Sequence, residues 1–512
     1  MAQNKAMLII SCLVILLVTL PYLAAFQVET NESVFGGFLI NIKDGHSYLA
    51  KMQQGYLGNW KFVLPYTAEA GEGAYLFLFY LVLGHIARVI NLPLIVIYHL
   101  ARVLSAVFLL WAMSILFKRT FSATKDQNLG FMIASLGSGI GWIAVMFGLF
   151  TSDFWVAEAF PFLSIYTNPH FALGLGLMIL GLIYDNENKP WISTLLGLAL
   201  GIVQPFAVVI ILLVLGGKSS IEFLESDGNI QERLKSSGSI LRFVFFGVGG
   251  GIILLYQYWS ILSDPVLALW NKQNVTSSPA LLDLLLSLSP CLILAVLSIR
   301  EAWNNEQGKL LLIWAGISLI LICVPWNLQR RFLTGIFIPL AGLSVYGVSL
   351  IRKWIPAKNR ILVFVLFCLI LPTNGMVLMS GVQASTQLDP KIYIPKAVQE
   401  GLDWLSENSH TNDLVLADEV VGLYIPSATG RRVIYGHPFE TVNADQELEL
   451  VRLFFQGQML PENIQTELID RGVKYIFSTN ELNQDLASWI NQQGFAGVFK
   501  SGKVQIFLVT DS

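Results

Sequence analysis

The sequence predicts an α-helical multi-pass membrane protein with about eleven transmembrane helices and a C-terminal extracytoplasmic α/β domain. Three observations point there. Hydrophobic residues fill 54% of the 512 positions and charged residues only 13%, whereas a soluble globular chain carries about 25% charged residues. Apolar runs of bilayer length, about 20 residues, recur from the N-terminus to near residue 380. Beyond residue 384 the pattern changes to alternating helical and strand-like stretches.

Residues 6–26 follow Lys5 and form a run too long for a signal-peptide core, so they read as a retained spanning helix. Further runs lie near 94–117, 129–150, 166–184, 190–217, 240–262, 279–298, 309–325, 331–350 and 360–380. The run at 190–217 exceeds one span and carries Gln204-Pro205 at its middle. Proline removes a backbone donor and breaks the ladder, so two short helices are expected to meet there.

Segment 74–90 is apolar but short and contains His85 and Arg88. Cytoplasmic loops collect Lys and Arg, and this rule fixes its place. With 74–90 as a juxtamembrane helix inside an outer loop 27–93, the cytoplasmic loops gather Lys118, Arg119, Lys125, Lys189, Lys218, Arg233, Lys235 and Arg242. Arg300, Lys309, Arg352, Lys353, Lys358 and Arg360 join them. The N-terminus is then cytoplasmic, and the tail after about residue 385 is outside the plasma membrane. Arg330-Arg331 alone breaks the rule at an outer surface. The expected domains are 1–384, transmembrane, and 385–512, α/β.

In the tail, 395–408 reads as helix, 413–417 as a buried strand, 440–457 and 461–471 as helical, 474–477 as strand, and 497–509 as an alternating stretch. This order suggests a small sheet packed with helices.

The net charge of -3 lacks the basic footprint that nucleic acid demands. Cys12, Cys291, Cys323 and Cys368 all fall in apolar runs and read as small packing residues. The glycines of 137–141 and 249–251 lie inside spans, where close helix packing explains them.

Charged groups stay out of lipid unless they are paired or functional, so polar residues at the outer helix ends carry the functional reading. In the first outer loop, Asp44, Tyr48 and Lys51 are spaced by four and three residues and share a helical face, with His46 beside them. Asp44 also suits a helix N-cap. A second cluster holds Asp153, Glu158, Tyr166, Asn168 and His170, among the aromatics Phe154, Trp155, Phe160 and Phe162. The third is Gln329-Arg330-Arg331. Guanidinium forks match phosphate oxygens bidentately, which suggests a lipid-phosphate clamp; snorkelling to headgroups is the alternative. Residues 435–441 read as a turn followed by a helix start.

With an acidic residue opening a helix in the first outer loop (Asp44-Gly-His-Ser-Tyr48), a second carboxylate after the third span (Asp153 or Glu158), short helices broken at Gln204-Pro205 and an outer tail domain, the chain resembles the GT-C class of membrane glycosyltransferases. Protein O-mannosyltransferases and aminoarabinose transferases belong to that class. The resemblance implies a GT-C-like transmembrane domain. It also implies transfer of a sugar, with inversion, from a polyprenyl-phosphate-linked donor to a glycan, lipid or protein acceptor on the outer face of the cell envelope. It makes Asp44, Asp153 and Glu158 catalytic candidates. His46, Tyr48, Lys51, Asn168, His170, Gln204, Gln329, Arg330 and Arg331 become substrate-binding candidates. A divalent metal, Mg or Mn, is compatible with the carboxylates, and members of the class differ in needing one. Two positions depart from the class: its common Asp-Glu pair is Asp44-Gly45 here, and Gln204 stands where lysine is frequent at the broken-helix turn. A transporter and a non-catalytic assembly or sensing protein are the rival readings.

Overall fold

The computed structural model describes residues 5–184, 189–227, 238–354, 359–459, 465–482 and 484–509. Arg233, Lys235, Lys358 and the start of the helical stretch 461–471 lie outside them. The chain divides into two compact units, one of Met1–Pro21, His99–Tyr256 and Thr276–Val382, the other of Tyr22–Tyr98, Gln257–Val275 and Gln383–Ser512. Tyr22–Tyr98 thus clusters with the C-terminal segment.

Six helices among the described residues are long and apolar enough to cross a membrane: Lys5–Gln27, Leu94–Thr120, Thr124–Val145, Pro205–Glu225, Ile240–Ser263 and Arg360–Thr386. Leu78–Ile90, Pro169–Ile183 and Trp191–Val203 are shorter apolar helices. Gln204 separates Trp191–Val203 from Pro205–Glu225, as the proline requires. The run at 279–298 is two short helices, Leu281–Leu288 and Cys291–Leu297, with a proline between them at 290. The run at 331–350 becomes a 3-10 turn, Gln329–Leu333, followed by the helix Phe337–Trp354.

In the first unit, the helical backbone of Thr124–Leu136 opens before Gly141. Ser138 N there donates to Ile370 O at 2.8 Å and Ile140 N to Leu286 O at 3.1 Å. A Cβ on Gly139 would collide with the backbone of Ser287, so glycine permits the close approach. A charge inside the helix Leu94–Thr120 is also paired. Arg102, 1% exposed, donates to Val18 O at 3.1 Å, to Ile165 O at 3.2 Å, and from Nε to His99 Nδ1 at 3.2 Å.

Among the described residues, the second unit contains seven strands. β1 (Ser33–Phe35) pairs antiparallel with β2 (Tyr393–Pro395). β3 (Leu414–Ala417), β4 (Arg432–Val433), β5 (Val473–Ser478), β6 (Ala496–Ser501) and β7 (Val504–Leu508) form one sheet in the order β4-β3-β5-β7-β6. β3 is parallel to β4 and β5, while β7 is antiparallel to β5 and β6. The alternating stretch at 497–509 is the β6–β7 hairpin.

Successive strand residues face opposite sides, and the core follows. Val415, Ala417, Tyr475 and Phe477 pack on one face with Val398, Leu402 and Leu405 of the helix Lys396–Asn408. Leu414, Leu416 and Ile476 pack on the other with Val451 and Phe454 of the helix Ala444–Phe455. Ala50 and Tyr66, from the segment Tyr22–Tyr98, enter the first of these cores. The open end between β3 and β5, where α/β sheets often bind ligands, is closed by Asp418. Its carboxylate accepts from Thr479 N at 2.9 Å and from Val420 N and Val421 N at 3.1 Å each.

Candidate functional site

In the second unit the helix Ile42–Tyr56 carries Asp44, Ser47, Tyr48 and Lys51. Its N-cap is Asn41, with no side-chain cap bond, so Asp44 sits inside the first turn. There its negative charge suits the helix dipole. Lys51 is fully buried and meets Glu440 Oε1 at 2.6 Å. The rings of Tyr48, Phe62 and Phe77 surround its ammonium with centroids at 5.2, 5.4 and 4.5 Å, within cation-π reach. Ser47 Oγ donates to the same Glu440 oxygen at 2.5 Å. Burial pushes the Glu440 carboxyl up, but the charge of Lys51 and the bonds from Lys51 and Ser47 bring it below its ordinary value. Tyr66 is raised well above its ordinary value by burial and then by Glu440.

His437 comes from the turn at 435–441. Its Nδ1 accepts from Phe439 N and Glu440 N, both at 3.2 Å. Its Nε2 lies 3.7 Å from Asp44 Oδ1, and the Asp44 side chain is 50% exposed. The structure therefore adds His437 and Glu440 to the residues expected from sequence.

His46 is placed differently. It is buried between Phe38 and Tyr424, with ring centroids at 5.2 and 4.5 Å. Ser427 Oγ donates to Tyr424 O at 2.9 Å, which leaves its lone pairs to accept from His46 Nδ1 at 3.3 Å. Burial pushes the imidazole down to about 3. Gly45 faces the Phe38 ring so closely that a Cβ would overlap it. A second carboxylate at that position has no room.

The first unit assembles the other cluster. Gly335 N donates to Glu158 O at 2.8 Å and Phe337 N to Ala159 O at 3.3 Å, joining the 158–159 backbone to the turn that carries the arginines. Arg331 then reaches the Glu158 carboxylate at 3.3 Å, with the arginine side chain 28% exposed and the glutamate 5%. The Arg330 guanidinium lies over the Trp155 ring at 4.8 Å. Thr334 Oγ1 donates to Arg331 O at 2.7 Å and accepts from Gln204 Nε2 at 3.4 Å. Glu158, Gln204, Arg330 and Arg331 are thus one connected group.

The remaining candidates have other surroundings. Gln329 is occupied by its own turn, donating to Val324 O at 2.8 Å and accepting from Ser278 N at 3.3 Å. Asp153 is fully buried. Thr151 Oγ1 donates to its Oδ1 at 2.6 Å and Gly141 N to its Oδ2 at 3.0 Å. Burial raises its carboxyl against those bonds. Asn168 is buried at the start of the helix Pro169–Ile183, and His170 packs on Phe171 with ring centroids at 4.1 Å.

Among the described residues, no group of three or more His, Cys, Asp or Glu side chains converges as metal ligands would. Asp153, Glu158 and Glu440 are each taken by a cation or donor within their own unit.

No protein-family model matches the chain, and no curated protein matches it significantly in sequence. Solved structures do match. The apo oligosaccharyltransferase of Archaeoglobus fulgidus superposes with a TM-score of 0.54 at 12% identity, over 93% of this chain and 70% of that one. The same enzyme in complex with Zn and sulfate gives 0.51 at 13%, over 96% and 73%. ArnT from Cupriavidus metallidurans, bound to undecaprenyl phosphate, gives 0.47 at 12%, over 98% and 99%. The fold is that of the GT-C membrane glycosyltransferases.

Proposed function

We propose that the chain is a membrane glycosyltransferase that moves a sugar from a polyprenyl-phosphate donor to an acceptor on the extracytoplasmic face. In this reading about eleven spans cross the plasma membrane. The N-terminus is cytoplasmic, and residues 27–93 and the tail from about 385 are outside. The observation that carries the reading is the Glu158–Arg331 pair beside Arg330 on Trp155. Two guanidinium groups on one turn suit the oxygens of a phosphate. The sulfate complex of the A. fulgidus enzyme supports anion binding in this fold, and its acceptor-peptide complex, at a TM-score of 0.51, supports an acceptor partner.

The chemistry is a single displacement with inversion. The acceptor hydroxyl oxygen bonds to the anomeric carbon while the bond from that carbon to the phosphate oxygen breaks. Asp44, the exposed carboxylate, takes the hydroxyl proton as general base. The polyprenyl phosphate departs with the bonding pair. Arg330 and Arg331 stabilise its gathering charge, as fixed cations do for a charged leaving group. Glu158 holds Arg331 in place, and Gln204, through Thr334, braces the same turn. Lys51 and His46 set the shape of the Asp44 helix.

The test is transfer of labelled sugar from a panel of polyprenyl-phosphate sugars in membranes containing the protein. Asp44→Asn is expected to abolish transfer while keeping the size-exclusion profile of the wild type. Transfer at the wild-type rate by Asp44→Asn would contradict the assignment.

A further inference from the structure

We propose that His437 is a positioning residue that aims and holds the Asp44 carboxylate through its Nε2–H. The inference rests on the reading of Asp44 as the base. Two backbone amides, Phe439 N and Glu440 N, donate to His437 Nδ1 at 3.2 Å each. A nitrogen that accepts two N–H groups carries no proton, so the neutral ring holds its proton on Nε2. That atom is buried, has no hydrogen-bond partner within the 3.5 Å limit, and faces Asp44 Oδ1 at 3.7 Å. A contact of this length closes to a hydrogen bond with a shift of less than an ångström, and catalytic contacts are often long until substrate binds.

The surroundings make the aim rigid. Asp44 is one turn before Ser47 and two before Lys51, and both of these bind Glu440, three residues after His437. The helix and the turn are therefore pinned together beside the Asp44–His437 contact. The charged and titratable groups facing His437 are Asp44, Glu440 with its partner Lys51, and Tyr66, whose ring centroid is 5.7 Å away. Lys43 neighbours Asp44 on its own helix.

The arrangement also says what His437 does not do. Accepting a proton would place an N–H at Nδ1 against the two amides that now donate to it. His437 therefore orients and does not relay. A donor aimed at a carboxylate favours its charged form, which keeps Asp44 ready to take a proton.

The experiment reads the protonation of Asp44 directly in the purified full chain. A water-soluble carbodiimide with glycine ethyl ester reacts with protonated carboxyls, and peptide mass spectrometry follows the labelling of Asp44 against pH. His437→Phe removes the donor, and His437→Gln keeps an N–H donor. In His437→Phe the pH of half-maximal labelling should rise by about 0.5 to 1. In His437→Gln it should stay near the wild-type value, and the acid limb of transfer activity should move in the same pattern. Superposable labelling curves for the wild type and His437→Phe, or an equal rise in both variants, would overturn the proposal. Only variants with the wild-type size-exclusion profile are compared. A labelling shift together with full transfer by Asp44→Asn would overturn the base reading, and with it the purpose assigned to His437, while leaving the contact itself standing.

Discussion

Lys51 and Glu440 show how single residues hold the second unit together. The ammonium is fully buried and the carboxylate 12% exposed, so neither charge can rely on water. Removing one partner of a buried pair costs about 3–5 kcal/mol, because the other charge is left uncompensated. Lys51→Met is expected to lower stability by about that amount in chemical denaturation, and Lys51→Met with Glu440→Leu to recover most of it. The pH dependence has a definite sign. Glu440 has a folded value below its unfolded one, so its contribution is present above the ordinary carboxylate range and is lost as pH falls through the lower folded value. His46 acts in the same direction for a different reason. Its folded value is about 3 against 6.5, so the unfolded chain binds the extra proton between those values. Stability should fall on acidification from about pH 6.5 toward 3, by on the order of 5 kcal/mol in all. A His46→Asn variant should lose that part of the slope in pH-dependent unfolding.

At the level of elements, the crossing of the helices Ile42–Tyr56 and Leu78–Ile90 depends on two glycines. A Cβ on Gly55 would strike the Leu81 carbonyl, and one on Gly84 the Met52 carbonyl. Overpacking of this kind costs about 1–3 kcal/mol, so Gly84→Ala should lower the midpoint of unfolding and loosen the Asp44 helix, seen as faster amide exchange there. Such contacts explain what was legible in the sequence. Gln204-Pro205 was readable because proline breaks a helix through its own ring, whatever surrounds it. The spacing of Asp44, Tyr48 and Lys51 was readable because helical period is local. The partner of Lys51 was not, since Glu440 is 389 positions away in the chain and only the fold brings it near. His437 and Glu440 sit in a segment that reads as a turn, and nothing local in its sequence indicates an approach to the first loop. Asp153 and Glu158 look alike in sequence, five residues apart. One is bound by Thr151 and Gly141 and the other by Arg331. Gly45 was legible as a departure from the class, and the Phe38 ring supplies its physical cause.

The whole molecule has long apolar helices and a second unit that combines Tyr22–Tyr98 with a five-stranded sheet. That combination predicts a membrane-impermeant maleimide result: cysteine placed at the exposed Glu407 should be labelled in intact cells, and labelling only after lysis would reverse the proposed orientation. The central claim is a lipid-linked phosphate held by the arginines of the first unit. Its most direct test is equilibrium binding of a polyprenyl phosphate to the purified protein, with the wild type compared to Arg330→Ala and to Arg331→Gln combined with Glu158→Gln, so that no carboxylate is left unpaired. Hydrogen bonds to charged groups are worth about 1.5–3 kcal/mol each, so saturable binding should weaken about tenfold or more in each variant. Wild-type binding that is absent, or equal affinity in all three proteins, would contradict the account.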